Sequence, residues 1–158
     1  MATWQCLFKM IVEIADSPGN DHLVASIEGT DLWRSAQEKA NGLLVELRDE
    51  MTPTQTWHPE LEVWEDSGGN ELHIWKAAGL VCELTLRVDL RGEFLPTLGK
   101  VSRIASGFGV GFVSESSTVI LATEAELVAA ALASRAGRFV RDPQLYLRRT
   151  ELGGFEDA

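Results

Sequence analysis

The residues that most often perform chemistry are few in this sequence, and they do not cluster. His22, His58 and His73 are the only histidines, and they show neither H-x-x-x-H spacing nor a neighbouring pair of cysteines. Metal sites are usually built from clustered ligands at such spacings, so the sequence predicts no metal ion and no cofactor. Oxygen-bearing side chains between Asp16 and Asp21 lack the regular spacing of a calcium loop and indicate a solvated turn.

Signatures of nucleophilic and nucleotide-binding sites are missing as well. No serine lies in a G-x-S-x-G turn, and neither Cys6 nor Cys82 has a local catalytic signature. A triad can be assembled from distant residues, so an enzyme is disfavoured but not excluded. The glycines at 107–111 follow a predicted helix and precede a strand, whereas a phosphate-binding loop opens a helix. They indicate the end of a helix instead.

One predicted hairpin brings acidic and aromatic side chains together. Apolar runs at 61–64 and 72–75 flank a turn at 67–70. If Asp66 pairs with Glu71, one face of the hairpin carries a set of five residues, namely Glu60, Glu62, Trp64, His73 and Trp75. An acidic face with two tryptophans is typical of a surface that binds a basic partner. His73 beside Glu62 could also act as a general base.

The alternative is that both tryptophans belong to the core. If a two-residue turn at Ala77-Ala78 pairs Trp75 with Leu80, then Trp64 and Trp75 share a face with the apolar residues of the following strand. A change of register by one residue exchanges the two faces, because side chains alternate along a strand. The core interpretation is somewhat favoured, and the choice depends on the register.

Positive charge collects near the C-terminus. Arg135, Arg138 and Arg141 lie at intervals of three residues around the end of the third predicted helix. Some of them favour the negative end of that helix. Together they form a candidate anion-binding site.

Strands of one domain must position these residues. Alternation with a period of two predicts a strand at 4–14 and another at 80–90. Shorter apolar runs predict strands near 23–27, 61–64, 72–75, 110–113 and 118–121. Both cysteines fall on the apolar faces of these strands, and the two prolines of 52–59 indicate a connector.

Three main helices complete the pattern. They are predicted from Thr30, the expected N-cap, to about Met51; across Pro96 to Gly107; and from a capping box at Thr123 to Gly137. A short helix after Asp142-Pro143 follows. The recurring strand–strand–helix order predicts an α+β fold, a mixed, mostly antiparallel sheet of about seven strands in a single domain over 1–150. Residues 151–158 are an acidic tail that we expect to be flexible.

Composition narrows the function. Of 158 residues, 45% are hydrophobic, and the net charge is −10. Such a charge argues against binding to nucleic acid or to an anionic membrane and favours a cationic partner. The N-terminus does not resemble a signal peptide, no apolar run is long enough for a bilayer, and two cysteines are compatible with a reducing compartment. We therefore expect a cytoplasmic protein.

These observations favour a non-enzymatic protein that masks or docks onto a basic partner protein, as an inhibitor or immunity protein does. One alternative is an enzyme or small-ligand-binding domain, which predicts a deep pocket where scattered polar residues converge. Another is a structural subunit of a larger assembly, which predicts a large apolar patch. The oligomeric state stays open.

Overall fold

Seven antiparallel strands and five helices make up the part of the chain that the computed structural model describes, residues 2–12 and 32–151. The strands are β1 (Gln5–Val12), β2 (Thr52–Thr54), β3 (Leu61–Glu65), β4 (Glu71–Ala77), β5 (Leu80–Asp89), β6 (Val110–Ser114) and β7 (Val119–Ile120). They form one sheet in the order β2-β3-β4-β5-β1-β6-β7. The predicted α+β class is confirmed.

The helices are α1 (Gln37–Leu47), α2 (Leu95–Gly107), α3 (Glu124–Ala133), α4 (Arg135–Arg141) and α5 (Pro143–Glu151). Local chemistry sets several of their bounds as expected. Pro96 lies in the first turn of α2, where its missing N–H costs nothing. The Thr123 hydroxyl accepts from the Glu126 N–H at 3.2 Å, and the Asp142 carboxylate accepts from the Leu145 N–H at 2.9 Å. None of the described helices is long and apolar enough to cross a membrane.

The first helix is shorter than predicted. Residues 32–35 form turns, and α1 begins only at Gln37. The Trp33 indole donates to the Met10 carbonyl of β1 at 3.0 Å, and the Trp33 carbonyl accepts from the Ala36 N–H. This turn anchors the chain to the sheet before the helix starts. The expected N-cap at Thr30 and the strand at 23–27 lie outside the described residues.

The third predicted helix is divided in two. The backbone is extended at Ser134, whose hydroxyl accepts from the Gly137 N–H at 3.0 Å and begins α4. The predicted helix end at Gly137 is therefore wrong. A Cβ at this position would lie 2.5 Å from the carbonyl oxygens of Ala131 and Leu132, so glycine lets the first turn of α4 approach the last turn of α3.

Both edges of the described sheet are short. The predicted connector at 52–59 contains β2, a three-residue strand with Pro53 at its centre. At the opposite edge, β7 has two residues.

The core lies between the sheet and the described helices. Phe8, Leu84 and Leu86 on the strands meet Leu43 and other helix residues with almost no exposed surface, among them Leu47, Leu98 and Leu127. A large shared apolar core of this kind stabilises the sheet without cross-links. It also defines two faces of the sheet: the core face, and the outer face opposite to the described helices.

The two cysteines are thiols in different surroundings. Cys6 is buried on the core face, as expected. A register shift beside Trp75 and Lys76 interrupts the alternation of β5, so Val81 enters the core and Cys82 is only half-buried. The expectation that Cys82 lies on the apolar face is wrong for this reason.

Candidate functional site

The β3–β4 hairpin differs in register from the expected pairing. Glu65 lies opposite Glu71, and Trp64 lies opposite Leu72. The difference arises in the turn, where the Asp66 N–H donates to the Asn70 carbonyl at 3.0 Å. The Asp66 carboxylate also accepts from the N–H groups of Gly68 and Asn70, at 2.8 and 2.9 Å. These bonds pair Asp66 with Asn70, so every side chain of β3 shifts by one position.

Asn70 connects this turn to the rest of the fold. Its side chain is fully buried and donates to the Glu93 carbonyl at 3.2 Å and to the Thr97 hydroxyl at 3.1 Å. Its oxygen accepts from the Asp89 N–H at 3.0 Å. The Thr97 hydroxyl donates to the Asp66 carboxylate in turn. The hairpin is thereby held against the end of β5 and the first turn of α2.

The five residues expected on one face are divided between two. Trp64 is 1% exposed and packs in the core with Leu72 and Ile74, as the alternative interpretation holds. Alternation places Glu62 on that same side. His73 and Trp75 lie on the outer face and are half-buried. The prediction of a shared acidic face is therefore wrong. The alternative prediction that both tryptophans are core residues is wrong as well.

The β4–β5 turn also differs from the sequence-based alternative. Ala78 and Gly79 both have positive φ angles, 51° and 78°, and Ala77 pairs with Leu80. Such angles are those of the two-residue turn that matches the twist of a hairpin. The turn lies one residue later than Ala77-Ala78, and the register shift between Trp75 and Lys76 adds one further position, so Trp75 lies opposite Glu83.

Trp75 belongs to an aromatic cluster with Trp57 and His58. The ring centroids of Trp57 and Trp75 lie 6.2 Å apart, and those of His58 and Trp75 lie 5.3 Å apart. Trp57 meets His58 edge to face at 5.5 Å. Although its ring takes part in two contacts, Trp57 is 79% exposed. The cluster therefore presents an indole to solvent beside the outer face.

Hydrogen bonds, most of them between residues close in sequence, hold the loop that carries the cluster. The His58 carbonyl accepts from the Thr56 hydroxyl at 3.1 Å and from the Leu61 N–H at 3.2 Å. The Glu60 N–H donates to Nδ1 of His58 at 3.1 Å, and the Glu60 carbonyl accepts from the Lys76 N–H at 2.8 Å. Sequence reasoning missed Trp57 and His58 because this loop has no periodicity. The one available signal was a Trp-His-Pro run within a polar connector.

His73 forms a charged group with partners other than the expected one. Its Nε2 lies 2.6 Å from a Glu71 carboxylate oxygen, which also accepts from Arg87 at 3.2 Å. Glu62, the expected neighbour, pairs with Lys76 instead. The Glu71–His73–Arg87 group lies on the outer face, where opposite charges on neighbouring strands stabilise the sheet.

The three C-terminal arginines have separate surroundings. Arg141 donates to the carbonyl oxygens of Leu132 at 3.1 Å and Gly137 at 3.4 Å, so it binds the C-terminal end of α3. Partial burial raises the pKa of the Glu115 carboxyl, and the charge of nearby Arg135 opposes that shift. Arg138 is half-buried. An anion site at these three residues stays a prediction.

Two depressions were candidates for a ligand site. One of about 110 Å³ lies between the hairpin turn and α2 and is lined by Asp66, Glu93 and Lys100 among others. The second, of about 450 Å³, is open to solvent beside Arg103 and Glu124. Neither is lined by His73, the candidate general base, or by the C-terminal arginines, the candidate anion-binding site. Within 2–12 and 32–151, no three histidine, cysteine or carboxylate side chains could hold a metal ion together.

Comparison with models of protein families, with curated proteins and with solved structures found no match to this chain.

Proposed function

We propose that this protein binds a basic partner protein through the aromatic cluster, and masks or anchors that partner as an inhibitor or immunity protein does. The observation that carries the proposal is the exposure of Trp57, 79%, in a loop otherwise held by hydrogen bonds. Leaving an indole in water forgoes the free energy of its burial. Tryptophan is also the residue type that most often dominates the binding energy of protein interfaces.

Charge favours a cationic partner over an anionic one. The whole chain carries −10, and Glu60, three residues after Trp57, is exposed. The ion pairs between described residues involve neither Glu60 nor the exposed Glu65 of β3. Charge of one sign beside an aromatic anchor steers an oppositely charged protein to the surface and raises its association rate.

The shape of the surface supports protein binding more than small-molecule catalysis. Pockets for small molecules usually enclose about 300–1,000 Å³ and bury most of the ligand. The depression beside Asp66 is smaller than that, and the one beside Arg103 is open. The Trp57 ring stands on the surface, where a protein can cover it and the rings behind it.

Affinity capture tests the proposal. The tagged chain would be used as bait in a lysate of its native source, in parallel with Trp57→Ala and Val45→Ala. Val45 is 67% exposed on α1, so its change removes a similarly accessible apolar group on the helical side of the sheet. We expect one basic protein to be retained by the wild type and by Val45→Ala, and its recovery to fall at least about ten-fold with Trp57→Ala.

Capture at low and at high salt separates the contribution of charge to binding from that of the aromatic contact. Salt screens the charges, so a complex whose association is steered by charge should form more slowly at high salt. Equal recovery by all three baits, or no retained protein at all, would contradict the proposal. A bait that self-associates without a partner would favour the structural-subunit alternative.

A further inference from the structure

We infer that the aromatic cluster binds an arginine side chain of the partner, with the guanidinium stacked on the Trp57 indole and the Glu60 carboxylate supplying the opposite charge. The inference rests on the proposed function and names the chemical group that the surface recognises. Four features of the described residues lead to it.

The first feature is the arrangement of the three rings. The Trp57 ring meets His58 at an interplanar angle of 79° and Trp75 at 74°, so both contacts are edge to face. Its large exposed fraction leaves indole surface open to solvent. The face of an indole carries negative electrostatic potential and attracts a cation within about 6 Å of the ring centre.

The second feature is the charge of the site before anything binds. Nδ1 of His58 accepts the Glu60 N–H at 3.1 Å, so this ring atom is already bonded within the loop. Lys76, the cation of the adjacent strand, is paired with Glu62. The exposed Glu60 carboxylate favours an incoming cation.

The third feature is the set of contacts that other tryptophans of the same chain make. The Arg91 guanidinium carbon lies 3.8 Å from the centre of the Trp4 ring, and the Arg48 guanidinium carbon lies 5.5 Å from that of Trp64. Trp33 is buried and bonded to a carbonyl. Two other indoles of the chain, those of Trp4 and Trp64, therefore already contact guanidinium groups, whereas that of Trp57 is exposed.

The fourth feature distinguishes arginine from lysine. A guanidinium is planar, so it can lie flat on an indole while its N–H groups bond a carboxylate at the edge. An ammonium ion is compact and more strongly hydrated, and it gains less from the same surface. The hydrogen-bonded loop also holds the rings in place before binding, which lowers the entropic cost of the contact.

The test compares two peptides of equal length and charge. Dye-labelled hexa-arginine and hexa-lysine would be titrated with the wild-type chain, and binding followed by fluorescence anisotropy at constant salt. We expect the arginine peptide to bind about three- to ten-fold more tightly than the lysine peptide. Trp57→Leu keeps an apolar side chain but removes the aromatic face, and should make the two affinities equal.

Two further variants serve as controls. Glu60→Gln should weaken both peptides, because the carboxylate attracts either cation, and should reduce the preference for arginine without abolishing it, because the indole face is still present. Val45→Ala should bind as the wild type does. Equal affinities in the wild type, or an arginine preference that survives Trp57→Leu, would overturn the inference.

The outcomes also separate this inference from the proposed function. If Trp57→Ala abolishes capture of a basic protein but the wild type shows no arginine preference, the cluster is a docking surface that does not recognise guanidinium. If capture and preference are both missing, both proposals fail.

Discussion

The side-chain amide of Asn70 donates to the Thr97 hydroxyl at 3.1 Å, so a β-turn and the first turn of a helix 27 positions away share one buried polar group. The same amide bonds Asp66 and the Glu93 carbonyl, and its oxygen accepts from the Asp89 N–H. Every hydrogen-bonding group of this fully buried side chain is therefore in use.

Asn70→Ala should consequently destabilise the fold. The change removes the side-chain hydrogen bonds to the Asp89 N–H, the Glu93 carbonyl and Thr97, and we expect a loss of about 2–3 kcal/mol in the free energy of unfolding measured with urea. Asn41→Ala is the matched control, because Asn41 is exposed on α1. It should change stability by less than about 0.5 kcal/mol. Similar losses for the two variants would contradict the role given to Asn70.

Gly137→Ala tests the close approach of α4 to α3. A methyl group there would meet two backbone oxygens at 2.5 Å, and backbone cannot move aside as a flexible side chain can. We expect a loss of about 2 kcal/mol in unfolding free energy. Gly107→Ala is the control, since a Cβ at that position would meet no atom within 4 Å. A Gly137→Ala protein as stable as the wild type would show that the two helices do not pack so closely.

The Cys6 thiol should resist alkylation in the native protein. Burial, followed by the negative charge of Glu115, raises its pKa to about 12. At pH 8 almost none of it is the reactive thiolate. In a Cys82→Ser variant, iodoacetamide should leave the native chain unmodified for hours and add one group in urea, as measured by mass spectrometry. Rapid modification without denaturant would contradict the burial of Cys6.

The Asp89–Arg91 pair predicts a dependence of stability on pH. Hydrogen bonds from Arg91 hold the pKa of the Asp89 carboxyl below its usual 3.8. Because the pKa of Asp89 is lower in the folded state than in the unfolded chain, the pair contributes its full stability above 3.8. This contribution is lost as the pH falls through the lower, folded-state pKa. Asp89→Asn should therefore lower the urea midpoint at pH 7, and the difference from the wild type should shrink near pH 2.

The control for this experiment is Asp49→Asn, because Asp49 is exposed on the chain after α1. Its difference from the wild type should be small at both pH values. A difference for Asp89→Asn that is constant from pH 7 to pH 2 would show that the carboxylate charge does not contribute.

The sequence predicted elements well where one physical signal dominated. The alternation from Trp4 onward, the proline of α2 and the Thr123 cap each act within a few residues, and each places its element as expected. The fold class follows from the order of such elements.

The candidate site depended on interactions that a local pattern does not contain. Asp66 can close the turn on Asn70 or on Glu71, and the choice is made with Thr97 and the Glu93 carbonyl, which lie far away in sequence. That choice moves Trp64 into the core. The contact of Trp57 with Trp75 joins an irregular loop to a strand, and neither periodicity nor motif spacing reports such a contact.

The short outer strands of the described sheet have a consequence for the behaviour of the chain at high concentration. A second copy can extend a sheet only where a row of backbone N–H and C=O groups is open, and such templating is a common route to aggregates. β2 is only three residues long and has Pro53, which lacks an N–H, at its centre, and β7 is only two residues long. Copies of this protein should therefore not polymerise edge to edge along these strands, and partners must approach the faces of the sheet and its loops.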